Sequence, residues 1–286
     1  MNRWIEEVLT SHNSSRLRFK ADRVLFDSET EQQKLIIFEN AEFGRVMMLD
    51  GATQLATKDE FIYHEMMAHV PLFAHGHAKR ALIVGGGDGG VLREALKHHE
   101  LEQVTLCEID SSIIDLCCRY LPEVSAGAYD DPRTEIVIAD GAKFLADTGE
   151  RFDVIMVDST DAIGPGAVLF TREFYANCRR ALTKGGVLVT QNGLPFLQGP
   201  QLKQSAEYFR DLFDDAFAYL ATTPSYVGGP LSFGWATDNK KLRQHSKKKI
   251  ERRYEKAAFE TRCWRPNVHV AAFALPSYVL ELVSDC

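Results

Sequence analysis

Residues 80–96 read RALIVGGGDGGVLREAL: an apolar burst, a glycine loop, then residues at helical spacing. Ala81 to Val84 have the composition of a short buried strand, and Val91, Leu92, Ala95 and Leu96 share one face of a following helix. Gly85, Gly87 and Gly90 fit the G-x-G-x-x-G spacing, in which missing side chains let the backbone turn tightly and approach a ligand at the helix N-terminus. Asp88 inside the loop narrows the ligand. A dinucleotide would bring its pyrophosphate to the positive end of the helix, where the carboxylate would repel it. A nucleoside carrying a sulfonium and no phosphate would be attracted, so S-adenosyl-type ligands fit better than NAD. Asp is also a favoured N-cap, and Asp88 can start a helix near Gly89 while still meeting a ligand.

Downstream, strands and helices alternate as in an open, mostly parallel α/β sheet. The second strand, Gln103 to Ile109, carries Glu108, 20 residues beyond Asp88, where an acid accepts hydrogen bonds from ribose hydroxyls. Ser111 to Leu121 reads as a helix, and TEIVIADG as a third strand ending on Asp140 and Gly141, which can reach an adenine edge. FDVIMVDSTD is apolar from Phe152 to Val157 and stops at Asp158; Asp161 follows on a loop before the rigid GPG turn at 164–166. Single loop acids are usually solvated. Asp88, Asp158 and Asp161 at neighbouring strand ends imply a cationic ligand. GGVLVTQNG supplies another strand ending on Gln191 and Asn192, Pro200 to Ala216 reads as a helix, and residues 219–238 as a hairpin-like pair joined by Gly228, Gly229 and Pro230. Tyr226 precedes that turn and Trp235 follows it; aromatics there are usually core, although a sulfonium or alkylammonium gains from aromatic faces. The basic run from Lys240 to Lys256 reads as a solvated helix face.

Upstream, residues 1–70 look like a small β domain, leaving 71–286 as the Rossmann-like domain. LRFKADRVLFDSET, KLIIFEN, GRVMMLDG and ATQLATKDE are strand-like runs separated by turn residues, with Asp50-Gly51 a tight-hairpin pair. Gln33 between them reads as surface polar. Glu60 to Leu72 is expected to be helical and to end at Pro71. His64, Glu65 and His69 suggest a metal site, but histidines five apart are splayed by about 140° around a helix, so no metal is expected. Tyr63 and His64 read locally as packing or surface positions, with a cleft as the alternative.

The 286 residues carry a net charge of -7, which excludes a general nucleic-acid binder with its basic face. No apolar run reaches membrane-spanning length, and MNRWIEEVLT has acids where a signal peptide has basic and then apolar residues, so a soluble, cytoplasmic protein is expected. The six cysteines form no C-x-x-C pair and read as reduced thiols, with Cys107 buried in its strand.

Taken together, LIIFENAEFGRVMMLDG, DEFIYHEMMAHVPL, GGGDGG, EID, YDDPR, DSTDAIGPG, LFTREFY, GGVLVTQNG, PSYVGG and FALP resemble the bacterial spermidine synthases, or polyamine aminopropyltransferases, over residues 33 to 276. The resemblance implies an N-terminal β domain, a Rossmann-like methyltransferase-type domain, and a homodimer or homotetramer. It implies transfer of the aminopropyl group of decarboxylated S-adenosylmethionine, a co-substrate rather than a cofactor, to putrescine, giving spermidine and methylthioadenosine. Position by position, it implies Gln33, Asp88, Glu108, Asp140, Gly141 and Pro165 around the donor. Tyr63, His64, Asp88, Asp158, Asp161 and Tyr226 would surround the amines, with Asp158 as proton acceptor. Ala162 and Ser225 depart from the family's usual proline and threonine. Decarboxylation leaves an ammonium that Asp88 and Asp158 can bind, whereas ordinary S-adenosylmethionine would bring a carboxylate into an acidic pocket. The rival readings are a putrescine N-methyltransferase, a dehydrogenase, which Asp88 opposes, and a non-catalytic polyamine- or nucleoside-binding protein.

Overall fold

Consecutive apolar residues, buried on both faces of β4 and β5, decide the first sheet. In the computed structural model, which describes residues 3–8, 16–30, 33–160, 164–226 and 228–284, β1 (Arg3–Glu6) pairs antiparallel with β2 (Arg18–Ala21). Then β3 (Arg23–Glu29), β4 (Lys34–Asn40), β5 (Gly44–Leu49) and β6 (Ala52–Ala56) form an antiparallel meander. Asp50 and Gly51 both have positive φ, 49° and 83°, as a two-residue hairpin requires. Leu35, Ile37 and Met47 point to one face of the meander, and Ile36, Phe38, Val46 and Met48 to the other, where Phe19 and Ala21 of β2 cover them. No strand is expected before residue 17 from the sequence; β1 forms because β2 offers it a ladder.

The next helix, α1 (Glu60–His75), runs past Pro71 instead of ending there, and stops at Gly76, whose left-handed backbone (φ 78°) lets its N–H reach Leu72 O at 2.8 Å. An internal proline costs a helix about 3 kcal/mol, but Leu72, Phe73 and Ala74 beyond it are all buried, and that burial outweighs the cost. Residue 70 lies inside this helix. The remaining elements among the described residues are β7 (Arg80–Gly85), α2 (Gly90–Leu96), β8 (Gln103–Glu108), α3 (Ser111–Tyr120), α4 (Pro122–Ser125), a short 3-10 turn (Ala128–Asp130), β9 (Thr134–Ile138), α5 (Gly141–Asp147), β10 (Phe152–Asp158), a 3-10 turn (Gly164–Phe170), α6 (Arg172–Ala181), β11 (Leu182–Gln191), α7 (Gly199–Leu212), β12 (Asp215–Ala221), β13 (Leu231–Thr237), α8 (Lys247–Ala257), α9 (Pro266–Ala272) and α10 (Ser277–Val283). The helix expected to reach Ala216 stops at Leu212. Asp215 and Ala216 are instead held in β12 by pairing with Thr237 and Ala236, and the Trp235 indole N–H donates to Asp215 Oδ2 at 3.1 Å.

The seven-stranded sheet has the order β12-β13-β11-β10-β7-β8-β9. From β11 to β9 the strands are parallel; β13 and β12 close the other edge antiparallel. Strand order reverses between β7 and β10, which opens a crevice at their carboxyl ends. The four-stranded meander approaches that crevice through α3, whose Ile113 and Cys117 pack with Leu35, Ile37 and Met47.

The C-terminal segment fastens α1 to this body. Buried Glu65 accepts the backbone N–H groups of Arg262, Cys263 and Trp264 at 2.7, 2.8 and 2.7 Å, and Arg253 of α8 donates to Ala74 O at 2.7 Å. His69 turns away to Glu94 and His98, at 3.0 Å each. His64, Glu65 and His69 thus have separate partners. Replacing Glu65 by alanine strands three backbone donors, and chemical denaturation should show a loss of about 3 kcal/mol or more; a loss under 1 kcal/mol would contradict the clamp.

Candidate active site

The glycine loop and the end of β10 meet by register: Gly85 is paired with Asp158. Gly85 has φ 78°, a Cβ on it would lie 2.2 Å from the Asp158 carbonyl oxygen, and the Gly86 N–H donates to that oxygen at 3.0 Å. Glycine is therefore required where the loop crosses β10. One turn later Asp88 Oδ1 accepts the Gly90 N–H at 2.7 Å, so this carboxylate does hold the start of α2, with Gly89 as the residue in the capping position.

Asp158 leaves the sheet beside that loop. Its Oδ1 accepts the Tyr63 hydroxyl at 2.6 Å, while Oδ2 is buried with no partner among the described residues. Burial and the neighbouring Asp88 charge push this carboxyl up to about 7. Tyr63 stands against Phe233 and, edge to face, against Tyr226, at ring separations of 5.4 and 6.2 Å. The Tyr226 hydroxyl donates to Gln54 O of β6, and Ser225 beside it donates its N–H and hydroxyl to Asp59 at 2.7 and 3.1 Å. A hydroxyl at position 225 is what that bond needs, and serine supplies it.

Along the sheet edge the next strand ends carry the other acids. Glu108 is buried at the end of β8, with Oε2 accepting the Gly87 N–H at 3.1 Å and Oε1 the Asp110 N–H at 3.0 Å. Burial raises its pKa against the opposing pull of these backbone donors. Asp140, exposed beyond β9, caps α5 through Oδ1 to the N–H groups of Ala142 and Lys143 at 2.8 and 3.2 Å. Gly141 lies so close to β7 that a Cβ would fall 2.4 Å from Val84 Cγ1. Gln33 immediately precedes β4, its carbonyl accepting the Thr30 N–H at 2.8 Å, and the Thr30 hydroxyl donates to Asp110 Oδ2 at 2.8 Å, which ties the meander to the Glu108 corner.

One cleft is lined by Gln33, Tyr63, His64, Asp88, Glu108, Asp140, Gly141, Asp158 and Tyr226. Asp161 and Ala162 lie outside the described residues. Pro165 contributes backbone to the 3-10 turn, whose Gly166, Val168 and Leu169 also face the cleft. His64 is buried rather than on the surface, its Nε2 3.4 Å from Asp88 Oδ1 and its Nδ1 in contact with Glu60. Several liners were not singled out from the sequence. Glu7 and Gln54 reach the cleft from the meander side, and Gln191, just past the Thr190 that pairs with Val157, lines it too. Glu60 and Arg93 stand behind His64. The four-residue spacing of Glu60 and His64 on one helix was the available signal. A His64 nitrogen and oxygens of Asp88 and Asp158 lie within 4.8 Å of one another. Both ring nitrogens of His64 face carboxylates, so as it stands the ring offers a metal ion no lone pair, and it is the Asp88 and Asp158 carboxylates of the cluster that suit an ammonium.

Two family models match in tandem: one described as the spermidine synthase tetramerisation domain over residues 3–57, and one as the spermine/spermidine synthase domain over residues 60–247. The chain belongs to the spermine/spermidine synthase family. A polyamine aminopropyltransferase of Ruegeria sp. (strain TM1040) is 50% identical over 279 residues, covering 98% of both chains. Polyamine aminopropyltransferase 1 of Pseudomonas aeruginosa is 50% identical, covering 93% of both. Among solved structures, a spermidine synthase in complex with the transition state analogue AdoDATO matches with a TM-score of 0.93 at 39% identity, covering 99% of this chain and 96% of that one. The spermidine synthase from Thermotoga maritima gives 0.90 at 38%, covering 99% and 95%. The Rossmann-like sheet with its small N-terminal β domain is therefore the architecture of the spermidine synthases.

A Cβ on Gly87 would fall 2.8 Å from Glu108 Oε2. If Glu108 makes the ribose contact expected from its place at the end of β8, Gly87→Ala, by displacing that carboxylate, should weaken methylthioadenosine binding about tenfold, one charge-assisted hydrogen bond. Calorimetric titration reads the change, and an unaltered affinity would remove Glu108 from nucleoside recognition.

Proposed function

We propose that this chain is a spermidine synthase, transferring an aminopropyl group from decarboxylated S-adenosylmethionine to putrescine. The observation that carries the reading is Asp158: a half-buried carboxylate at the cleft beside Asp88, with one oxygen fixed by Tyr63 and the other, Oδ2, buried and without a partner among the described residues. In this reading the adenine lies toward Asp140, Gly141 and Pro165, and the ribose hydroxyls donate to Glu108, with Gln33 closing that end. The donor's ammonium sits by Asp88. Putrescine lies along Tyr63 and Tyr226, its far ammonium toward Asp161 and its reacting nitrogen at Asp158.

The chemistry is a single displacement. The amine nitrogen forms a bond to the propyl carbon, the carbon–sulfur bond breaks, and sulfur leaves as the neutral thioether of methylthioadenosine. The proton of the attacking nitrogen passes to Asp158. An aliphatic amine has a pKa of about 10, and carboxylates raise it further, yet the nucleophile must be neutral. The sulfonium charge and partial burial act in the opposite direction, and a base whose own affinity for protons is raised by burial is matched to accept this one. Holding nitrogen, carbon and sulfur in line supplies most of the remaining acceleration.

The relatives' names leave the methyltransferase, dehydrogenase and binding-protein readings without support. The same family description extends the proposal to a homo-oligomer. A cytoplasmic location goes with the reading; among the described residues no helix is long and apolar enough to cross a membrane.

Mass spectrometry of reactions with putrescine and either decarboxylated or ordinary S-adenosylmethionine tests the proposal. Spermidine and methylthioadenosine are expected from the decarboxylated donor only, and methylputrescine with S-adenosylhomocysteine would overturn it. Asp158→Asn should lower kcat by about 10² to 10⁴, the span of general-base catalysis, and a loss below about threefold would remove Asp158 from that role. Because Asp158 must be ionised to act and its pKa is raised to about 7, kcat/KM for the donor should fall as pH drops below neutrality. A profile flat down to about pH 5 would contradict the assignment.

A further inference from the structure

Both ring nitrogens of His64 face carboxylate oxygens: Nδ1 meets Glu60 Oε2, and Nε2 lies 3.4 Å from Asp88 Oδ1. Ionised carboxylates only accept hydrogen bonds, so both contacts attract only if both nitrogens carry hydrogen. The geometry describes an imidazolium. The charged and titratable groups facing it are Glu60 on its own helix, Asp88 from the loop after β7, Asp158 from the end of β10, and the adjoining Tyr63. Beneath the ring lies the bare backbone of Gly90, where a Cβ would come within 2.1 Å of it. Behind Glu60 stands Arg93 of α2, which donates to both carboxylate oxygens at 3.2 and 2.9 Å and to Glu94 at 2.8 Å. Glu60 is thus pinned from the rear and held toward Nδ1. Burial alone would expel the histidine's proton, but the Asp88 charge and the Glu60 bond outweigh it and lift the imidazole to about 9.

We propose that His64 is the resident cation of the donor site before the donor binds, and that the donor's ammonium, on reaching Asp88, displaces the Nε2 proton of His64 into solvent. The ligand rests on the functional reading above; the charge state of His64 does not. Two cations crowded onto the one half-buried Asp88 carboxylate repel, and only the imidazolium can shed its charge near neutral pH. The exchange balances: one ammonium enters, one proton leaves to buffer, and no covalent bond of the donor changes. His64 ends as a neutral imidazole whose Nε2 lone pair accepts an N–H from the ammonium. Glu60, backed by Arg93, keeps hydrogen on Nδ1 in both states, so Glu60 and Arg93 are positioning residues. A nucleoside without the ammonium, such as methylthioadenosine, leaves the proton in place.

Calorimetric titration of the full-length protein at pH 7.5, in buffers of low and high ionisation enthalpy, counts the protons. About one proton released per decarboxylated S-adenosylmethionine is expected, and none per methylthioadenosine. His64→Gln should bind both ligands, with release on donor binding reduced to the fraction of a proton that Asp158 still carries at this pH. Glu60→Gln should reduce the release by more than half, and Glu60→Asp should restore most of it, a pattern that a merely structural role would not produce. Equal proton counts for the two ligands, or release of about one proton that persists undiminished in His64→Gln, would overturn the exchange. In the ligand-free protein, histidine NMR should show one imidazole still protonated at pH 8 that disappears in His64→Gln. Its absence would overturn the resident cation whatever the ligand, whereas failure of the donor to bind at all would sink the functional reading together with the displacement.

Discussion

The close approach of Gly85 to the backbone of Asp158 is the contact from which the site follows. Parallel pairing brings the ends of β7 and β10 together, and the loop after β7 must turn immediately or collide with the residue leaving β10. Only a residue without Cβ, in a left-handed conformation, lets the chain cross there. That one crossing sets Asp88 and Asp158 side by side at the point where strand order reverses, and a ligand lying across it reaches every acid on the sheet edge.

Placing carboxylates together in a buried cleft is unfavourable until something positive joins them. The protein meets that demand from within through His64, itself fixed by Glu60 and Arg93, and presents the rest of the demand to its substrates. Asp158 is the extreme case, since Tyr63 satisfies one oxygen while the other has no partner among the described residues. Such an arrangement favours a cation over a neutral or anionic ligand without any contact dedicated to exclusion. It also leaves a carboxyl whose proton affinity is raised, which is what accepting a proton from an attacking amine requires.

The groups that hold these charges in place come from far along the chain. Tyr63 and His64 ride on α1, which Glu65 clamps to backbone almost 200 residues away. Tyr226 is held between Gln54 of the first sheet and the Ser225–Asp59 bond. The meander is therefore part of the cleft wall, and Glu7, Gln33 and Gln54 face the same space as the glycine loop.

Local signals were enough for much of this. Apolar strands alternating with amphipathic helices, glycines at close spacing, and acids standing where strands end all follow from short-range constraints on backbone and burial, so the open sheet, Asp88, Glu108, Asp140 and Asp158 could be read directly. Motif resemblance added Gln33, Tyr63, His64 and Tyr226, whose local surroundings had suggested surface or packing roles. Only tertiary structure decided that α1 continues through Pro71 and that Asp215 lies in β12, because burial and strand pairing override local propensity there. It alone decided that His64 lies between Glu60 and Asp88 with Arg93 behind. Which carboxylates surround a histidine depends on which helix and which loop pack against it, and that is a property of the assembled core rather than of any stretch of sequence.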